Sequence, residues 1–531
     1  MMEIHPNFKY DVYMIDISEH LPILVIIIPL ISAIIIPIIG QFNRLFSWYI
    51  TVMVTFVSFL ISYVLLNNVL NSGRISYWMG GWKPPWGIEY VLDYLNVYIL
   101  LIVSFIAFII ALYAKLSVEK EIEEHKITTF YSVYMLFVTG LMGIILTGDL
   151  FNLYVFIEIS SLSAYTLVAV GRKREALIAS YNYLILGTIA ATFILIGIGY
   201  LYMMAGTLNI ADLREKLIVH YDSNVIVTAF AFFTVGISLK LALFPLHIWL
   251  PNAYTNAPSV VSTIMAATST KVGAYILLRT MFTIFTVEFN LQIIPVTKIL
   301  LALSSVAIIA GSVMAISQTN IKRMLAYSSV GQIGYIVLGV TLINEIAMIG
   351  SLIHILNHAL MKGTLFLVVG MVVYNTGIED IDGLKGLGKK MPYSMAAFTI
   401  ASLSMIGVPL TVGFVSKWYI SIGAIDADSW YLVPVILFSS LLTAIYFWRI
   451  IENIYFKKAD SEIQNVDQST QLIKPSKDYD MKLQAFKQDD APLGMLLPTL
   501  LLAGLCIIFG IVAFVPISLA EKAAIMLLGE I

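Results

Sequence analysis

Gly236–Lys271 reads GISLKLALFPLHIWLPNAYTNAPSVVSTIMAATSTK. It begins as an apolar membrane segment, yet it carries Lys240, the helix breaker Pro245, and His247 shortly after. Pro251, a polar turn ending at Pro258 and a new apolar run with Lys271 follow. A lysine in mid-span costs roughly 2.5–3.5 kcal/mol even on the lenient insertion scale. A proline frees backbone groups that only a polar cavity or neighbouring helices satisfy. The stretch therefore reads as a broken helix lining a hydrated path through a membrane.

Composition agrees. Of 531 residues, 59% are hydrophobic and 12% charged, whereas globular domains carry about 25% charged residues. Apolar runs long enough to cross a bilayer recur along the whole chain. The predicted fold class is all-α integral membrane, with about fourteen transmembrane helices, inverted repeats and two broken helices. A net charge of −2 gives no basis for binding nucleic acid. The single cysteine, Cys506, lies in LLLAGLCIIFG and reads as a packing residue. No cleavable signal peptide is expected, because the residues before Leu21 are polar and Leu21–Gly40 is long enough to span.

The chain divides into an extracytoplasmic segment (1–20), a transmembrane core (21–456), a polar loop (457–490) and a last span with its tail (491–531). Trp78, Trp82 and Trp86 in the connection Asn71–Asp93 suit a membrane interface. Basic residues fall in alternate loops: Arg44, the Lys115–Lys126 lysines, Arg172–Arg174, Lys322 with Arg323, and Lys385–Lys390. The positive-inside rule then puts both termini outside the cytoplasm and the 457–490 loop inside it. The expected location is the plasma membrane.

Glu158 sits in mid-span in LFNLYVFIEISSLSAYTLV and needs a partner within the bundle. Lys240 is the candidate. At ~4 Å and an effective dielectric near ~20, such a pair is worth about 4 kcal/mol. A shift of the glutamate by a few ångströms is then enough to change the charge of Lys240. The competing reading is a static ion pair fixing two helices. His247 and Lys271 extend the line, with helix-end capping as the plainer role for His247.

SLIHILNHALMKGTLFLVVG places His354, His358 and Lys362 on one helical face. Titratable groups stacked a turn apart suit a proton wire. Two histidines at that spacing also chelate metals, but no third carboxylate or cysteine ligand stands nearby, so no metal or cofactor is expected. LSMIGVPLTVGFVSKWYI repeats the opening theme, with a break at Gly407 and Pro409 followed by Lys417. Matching proline-interrupted segments in two halves mark inverted-repeat transporters. Arg449 and Glu452 read as an interfacial pair or as exit residues.

These residues resemble the antiporter-like subunits shared by respiratory complex I, membrane-bound hydrogenase-type complexes and Mrp-type cation/proton antiporters. The likeness runs from roughly 90 to 455. GDLFNLYVFIEISSLSAYTLVAV resembles the family's fifth span, with Glu158 as its glutamate; LKLALFPLHIWLPNAY resembles the broken seventh, with Lys240 and His247. TKVGAYILLR carries the eighth-span lysine as Lys271. NHALMKGTLFLVVG resembles the eleventh span at His358 and Lys362, with His354 a turn earlier, and GVPLTVGFVSKW the broken twelfth, with Lys417. GDLFNLYVF and STKVGAYILLR are most similar to the D-type Mrp subunit and its hydrogenase-complex relatives. TIMAATSTK lacks the histidine motif that many complex I members carry there. No long lateral helix is expected after the last span, which argues against the largest complex I member.

The resemblance implies a proton-translocating subunit of a multisubunit membrane complex, moving protons, with or without sodium, alongside other membrane subunits. Drive would come from cation antiport or from a redox module of hydrogenase or NADH dehydrogenase type. No redox site of its own is expected, because the iron–sulfur cysteines and the dinucleotide glycine fingerprint are missing. The alternative is a structural membrane scaffold without ion conduction.

Overall fold

The spans that carry Lys271 and Lys362 are among those most shielded from lipid. In the computed structural model, which describes residues 17–292, 296–458 and 490–529, three spans are almost wholly enclosed by protein: residues 259–284, 321–341 and 345–376. In those at the periphery fewer than half of the residues are buried. Lipid offers buried polar groups no partner, so charged side chains belong on the enclosed helices. Most of the segment 1–20 and of the loop 457–490 lies outside the described residues.

α1 (Leu21–Gly40), α2 (Arg44–Ser72), α3 (Tyr94–Glu121), α4 (Ile127–Leu146), α5 (Leu150–Ala169) and α6 (Arg174–Ala205) are long apolar spans. Between α2 and α3, β1 (Ile75–Trp78) and β2 (Glu89–Leu92) form an antiparallel hairpin with Ile75 opposite Leu92. Its tip exposes Trp82 and Trp86. A surface helix, α7 (Ile210–Ile218), leads to α8 (Asn224–Leu241) and α9 (Trp249–Asn256). The next span is composite: α10 (Ser259–Ile264), a π-helical turn at Met265–Ser269, α11 (Thr270–Leu278), and a second π-helical turn at Arg279–Ile284.

After α12 (Thr286–Gln292) come α13 (Val296–Ile316), α14 (Ile321–Thr341) and the central α15 (Glu345–Thr376). α16 (Leu387–Lys390), α17 (Pro392–Ile406), α18 (Val412–Asp426), α19 (Leu432–Tyr455), α20 (Leu493–Ile511) and α21 (Phe514–Leu528) complete the bundle. Among the described residues, 13 helices are long and apolar enough to cross a membrane. The remaining span expected from the sequence is the pair α17 and α18, each 15 residues and separated by a break. α21 packs against α3 and α15.

Both breaks are made the same way. α8 ends with Ala242 in the left-handed region (φ 59°), and Leu243 N–H returns to Ser238 O at 2.9 Å. α17 ends with Gly407 (φ 92°), and Val408 N–H returns to Leu403 O at 3.1 Å. Each is a left-handed helix cap whose reversed hydrogen bonds satisfy the last carbonyls. Pro245 and Pro409 follow closely and prevent the helix from resuming. α9 and α18 restart beyond them.

Candidate functional site

Lys240 is the penultimate residue of α8, beside the break. Its ammonium donates to Ser161 Oγ at 2.5 Å. Ser161 stands on α5 one turn beyond Glu158, on the same face. The direct Glu158–Lys240 ion pair expected from the sequence is not formed: among the described residues no contact within 4.0 Å joins them. Glu158 is half-buried and acts on Lys240 as a nearby counter-charge rather than a contact. Ser161 Oγ is instead the group that accepts from the ammonium.

A cavity of about 30 Å³ adjoins Lys240, lined also by Ser161, Tyr183 and Ser269. Roughly 10–15 Å³ suffices for one water, so there is room for water between Lys240 and the composite span that carries Lys271. Lys271 is fully buried, and its amine folds back on Ala266 O at 2.5 Å within the first π-helical turn. Its charge bears on both His358 and Lys362.

His354 and His358 stack along α15 with ring centroids 6.1 Å apart. His354 Nδ1 meets Ser416 Oγ of α18 at 2.8 Å. Both ring nitrogens of His358, and Nε2 of His354, are buried without a protein partner. Lys362, a turn further on, donates to Leu325 O at 2.7 Å and to the Ser328 hydroxyl of α14.

Lys417 donates to Met405 O at 2.9 Å, to Ile406 O at 3.0 Å and to Ser440 Oγ at 3.0 Å. The first two are terminal carbonyls of α17, the negative end of its dipole. The ammonium also lies 5.0 Å from the Tyr335 ring, which in turn lies 5.6 Å from His354. His247, in the α8–α9 break, stacks on Phe244 at 5.2 Å and meets the edge of Tyr327 on α14 at 6.2 Å. Tyr327 directly precedes Ser328, the serine bound by Lys362. Among the described residues no three His, Cys, Asp or Glu side chains group as metal ligands.

Two buried networks escaped the sequence reading. Arg279, two turns beyond Lys271, pairs with Asp93 at 2.6 Å and donates to Tyr275 Oη at 3.0 Å. An arginine ending an enclosed span was the available signal. Lys322, read as a loop charge, is buried between Glu121 (3.9 Å) and Glu379 (3.7 Å). Arg449 and Glu452 do not pair: Arg449 donates to Ile316 O at 3.1 Å, whereas Glu452 meets Lys457 at 3.5 Å.

Residues 147–443, more than half of the chain, match the family described as NADH:quinone oxidoreductase/Mrp antiporter, transmembrane. The chain belongs to that family. It is 50% identical over 329 residues to the N-type subunit of the NADH-quinone oxidoreductase of Desulforudis audaxviator, covering 62% of this chain and 65% of that protein. Over 314 residues it is 33% identical to the D-type component of the Na(+)/H(+) antiporter of Alkalihalophilus pseudofirmus, covering 59% and 63%. The matched part thus spans less than two thirds of either relative's length. A subunit of the archaeal membrane-bound sulfane sulfur reductase superposes with a TM-score of 0.84 at 31% identity, covering 96% of this chain and 97% of that one. The many-helix architecture is therefore a family fold in a multi-pass membrane protein.

Proposed function

We propose that this chain is a proton-translocating, antiporter-like subunit of a multisubunit membrane complex. It resides in the plasma membrane with both termini outside the cytoplasm, as its basic loops indicate. One observation carries the reading. Lys271, Lys362 and Lys417 are buried amines held by carbonyls and hydroxyls rather than by carboxylates, and the free ring nitrogens of His358 lie in the same row. An amine with neutral partners is not locked as half of an ion pair, so its charge is free to change. Breaks at Pro245 and Pro409 supply the polar backbone that a hydrated row needs.

The likeness to subunits of an NADH-quinone oxidoreductase, a Na(+)/H(+) antiporter and a sulfane sulfur reductase supports membership of a larger complex. Drive comes from cation antiport or from a redox module, and the co-purifying proteins decide which. The test is proton movement in vesicles carrying the assembled complex, followed with a pH-sensitive dye. Lys362→Ala should abolish it while assembly persists. Transport at the unmodified rate would leave only the scaffold role.

A further inference from the structure

A second cavity, about 280 Å³, opens on the face of the bundle that bears the β-hairpin. Its rim carries the exposed side chains of Arg74, Arg214 and Glu215. Its floor is buried and polar: Asp93, Asn96, Tyr275 and Arg279. Ile144 and Ile276 line this vestibule, and the same two residues line the small cavity beside Lys240. The two spaces are thus separated by an apolar pair, each residue 3% exposed. Hydrophobic constrictions of this kind gate pores by excluding water.

The surroundings hold the pair in register. Tyr275 Oη and Asn96 Nδ2 both donate to Ile145 O, at 2.7 and 2.6 Å, tying α11 and α3 to α4 beside Ile144. Arg279 and Asp93 complete the latch. α11, which carries Lys271, Tyr275 and Ile276, lies between two π-helical turns. Such turns are rare and are frequently found at functional sites. A small rotation of this short segment moves Ile276 and Lys271 together.

We propose that the vestibule is the water access from the hairpin face to Lys240, and that Ile144 and Ile276 form its gate. This rests on the proton-carrying reading above and names the route by which the row meets solvent.

The test is silver-ion modification of single cysteines in membranes carrying the assembled complex, in a Cys506→Ala background. Ala211→Cys reports the vestibule and Ser269→Cys the inner cavity. Silver is added to one face, and thiols left unmodified are labelled with a maleimide after denaturation. Ala211→Cys should react in every variant, from the hairpin face. Ser269→Cys should react slowly with the native pair. With Ile144→Ala or Ile276→Ala it should react about tenfold faster, the change that removing about 1.4 kcal/mol of barrier gives. Ile276→Val should shift the rate less, in the same direction, which separates gating from misfolding. An unchanged Ser269→Cys rate in all three variants, or a rise seen only from the opposite face, overturns the gate. No ion gradient is applied, so the result reads access whatever the row carries; failure of proton transport in Lys362→Ala is scored separately.

Discussion

Lys240 reaches Ser161, not Glu158: its ammonium and the serine hydroxyl are 2.5 Å apart, while the glutamate acts from a distance. The lysine is therefore held in place by a neutral group and biased by a charged one. That separation of roles makes the charge of Lys240 sensitive to small movements of α5 against α8.

Glu158→Gln keeps the shape and removes the bias, so proton transport by the assembled complex should fall sharply. Lys240→Ala should be as damaging, and the double variant little worse than either, as for residues acting as a unit. Glu158→Asp should retain partial activity. Ser161→Ala should weaken transport less than Glu158→Gln, because only the holding contact is lost. Dye-quenching rates in vesicles, normalised to assembled complex, make the comparison; a full rate in Glu158→Gln reduces the pair to a structural feature.

The breaks and their lysines were legible in the sequence because proline and mid-span charge are local signals. Lys240, Lys271, Lys362 and Lys417 each announce themselves within one apolar run. Partners were not legible. Ser161 looks like any helix serine, and Asp93 lies 186 residues from Arg279, so no local period links them. Lys322 read as a loop charge because Glu121 and Glu379 arrive from distant parts of the chain. The π-helical turns around α11 leave no trace of their own in MAATS and RTMFTI, which read as ordinary helix.

Sodium should not move through this chain alone. The titratable groups of the row are amines and imidazoles, which relay protons but are not the oxygen ligands a hard cation takes, and the carbonyls and hydroxyls beside them accept from the lysines. Vesicles holding only this chain should show no uptake of radioactive sodium above lipid background. Uptake there would show a cation site that the row does not explain.

Ser416→Ala removes the hydroxyl that meets His354 at 2.8 Å and so severs the link between that histidine and α18, while Asn357 Nδ2 still ties α15 to Val412 O at 2.6 Å. Transport should fall several-fold with assembly intact. Ser416→Thr, which keeps the hydroxyl, should recover most of the rate. Equal loss in both variants would point to packing rather than to the link.

Glu379 lies outside the spans. Burial works against its carboxylate, but Lys322, Lys173 and Asn320 outweigh that and hold its pKa below the usual glutamate range. A depressed folded pKa stabilises above the unfolded value near ~4.3, and the stabilisation is lost as pH falls through the folded pKa. Glu379→Gln should therefore lower stability by about 1–3 kcal/mol at neutral pH, less than a fully stripped buried pair because Glu121 still faces Lys322. Thermal unfolding of the detergent-solubilised complex should show that gap closing below about pH 4. A gap that stays constant with pH would assign the loss to packing.

The two caps give a pair of substitutions with opposite signs. Gly407 adopts φ 92°, and a Cβ there would stand 3.1 Å from Lys417 Cδ and 3.5 Å from its Nζ. Gly407→Ala should thus cost roughly 1–2 kcal/mol of backbone strain and also displace the ammonium from the α17 carbonyls. Ala242 already bears the left-handed strain at φ 59° without glycine. Ala242→Gly should relieve it, offset in part by the greater freedom of glycine in the unfolded chain, for a net change within about 1 kcal/mol. Gly407→Ala should therefore reduce both thermal stability and proton transport, whereas Ala242→Gly should leave transport near its native rate. Substituting Lys417→Ala in the Gly407→Ala background separates the effects: a transport defect that Gly407→Ala adds only when Lys417 is present comes from the displaced amine. If Gly407→Ala transports normally, the contact between Lys417 and the end of α17 is not part of the relay.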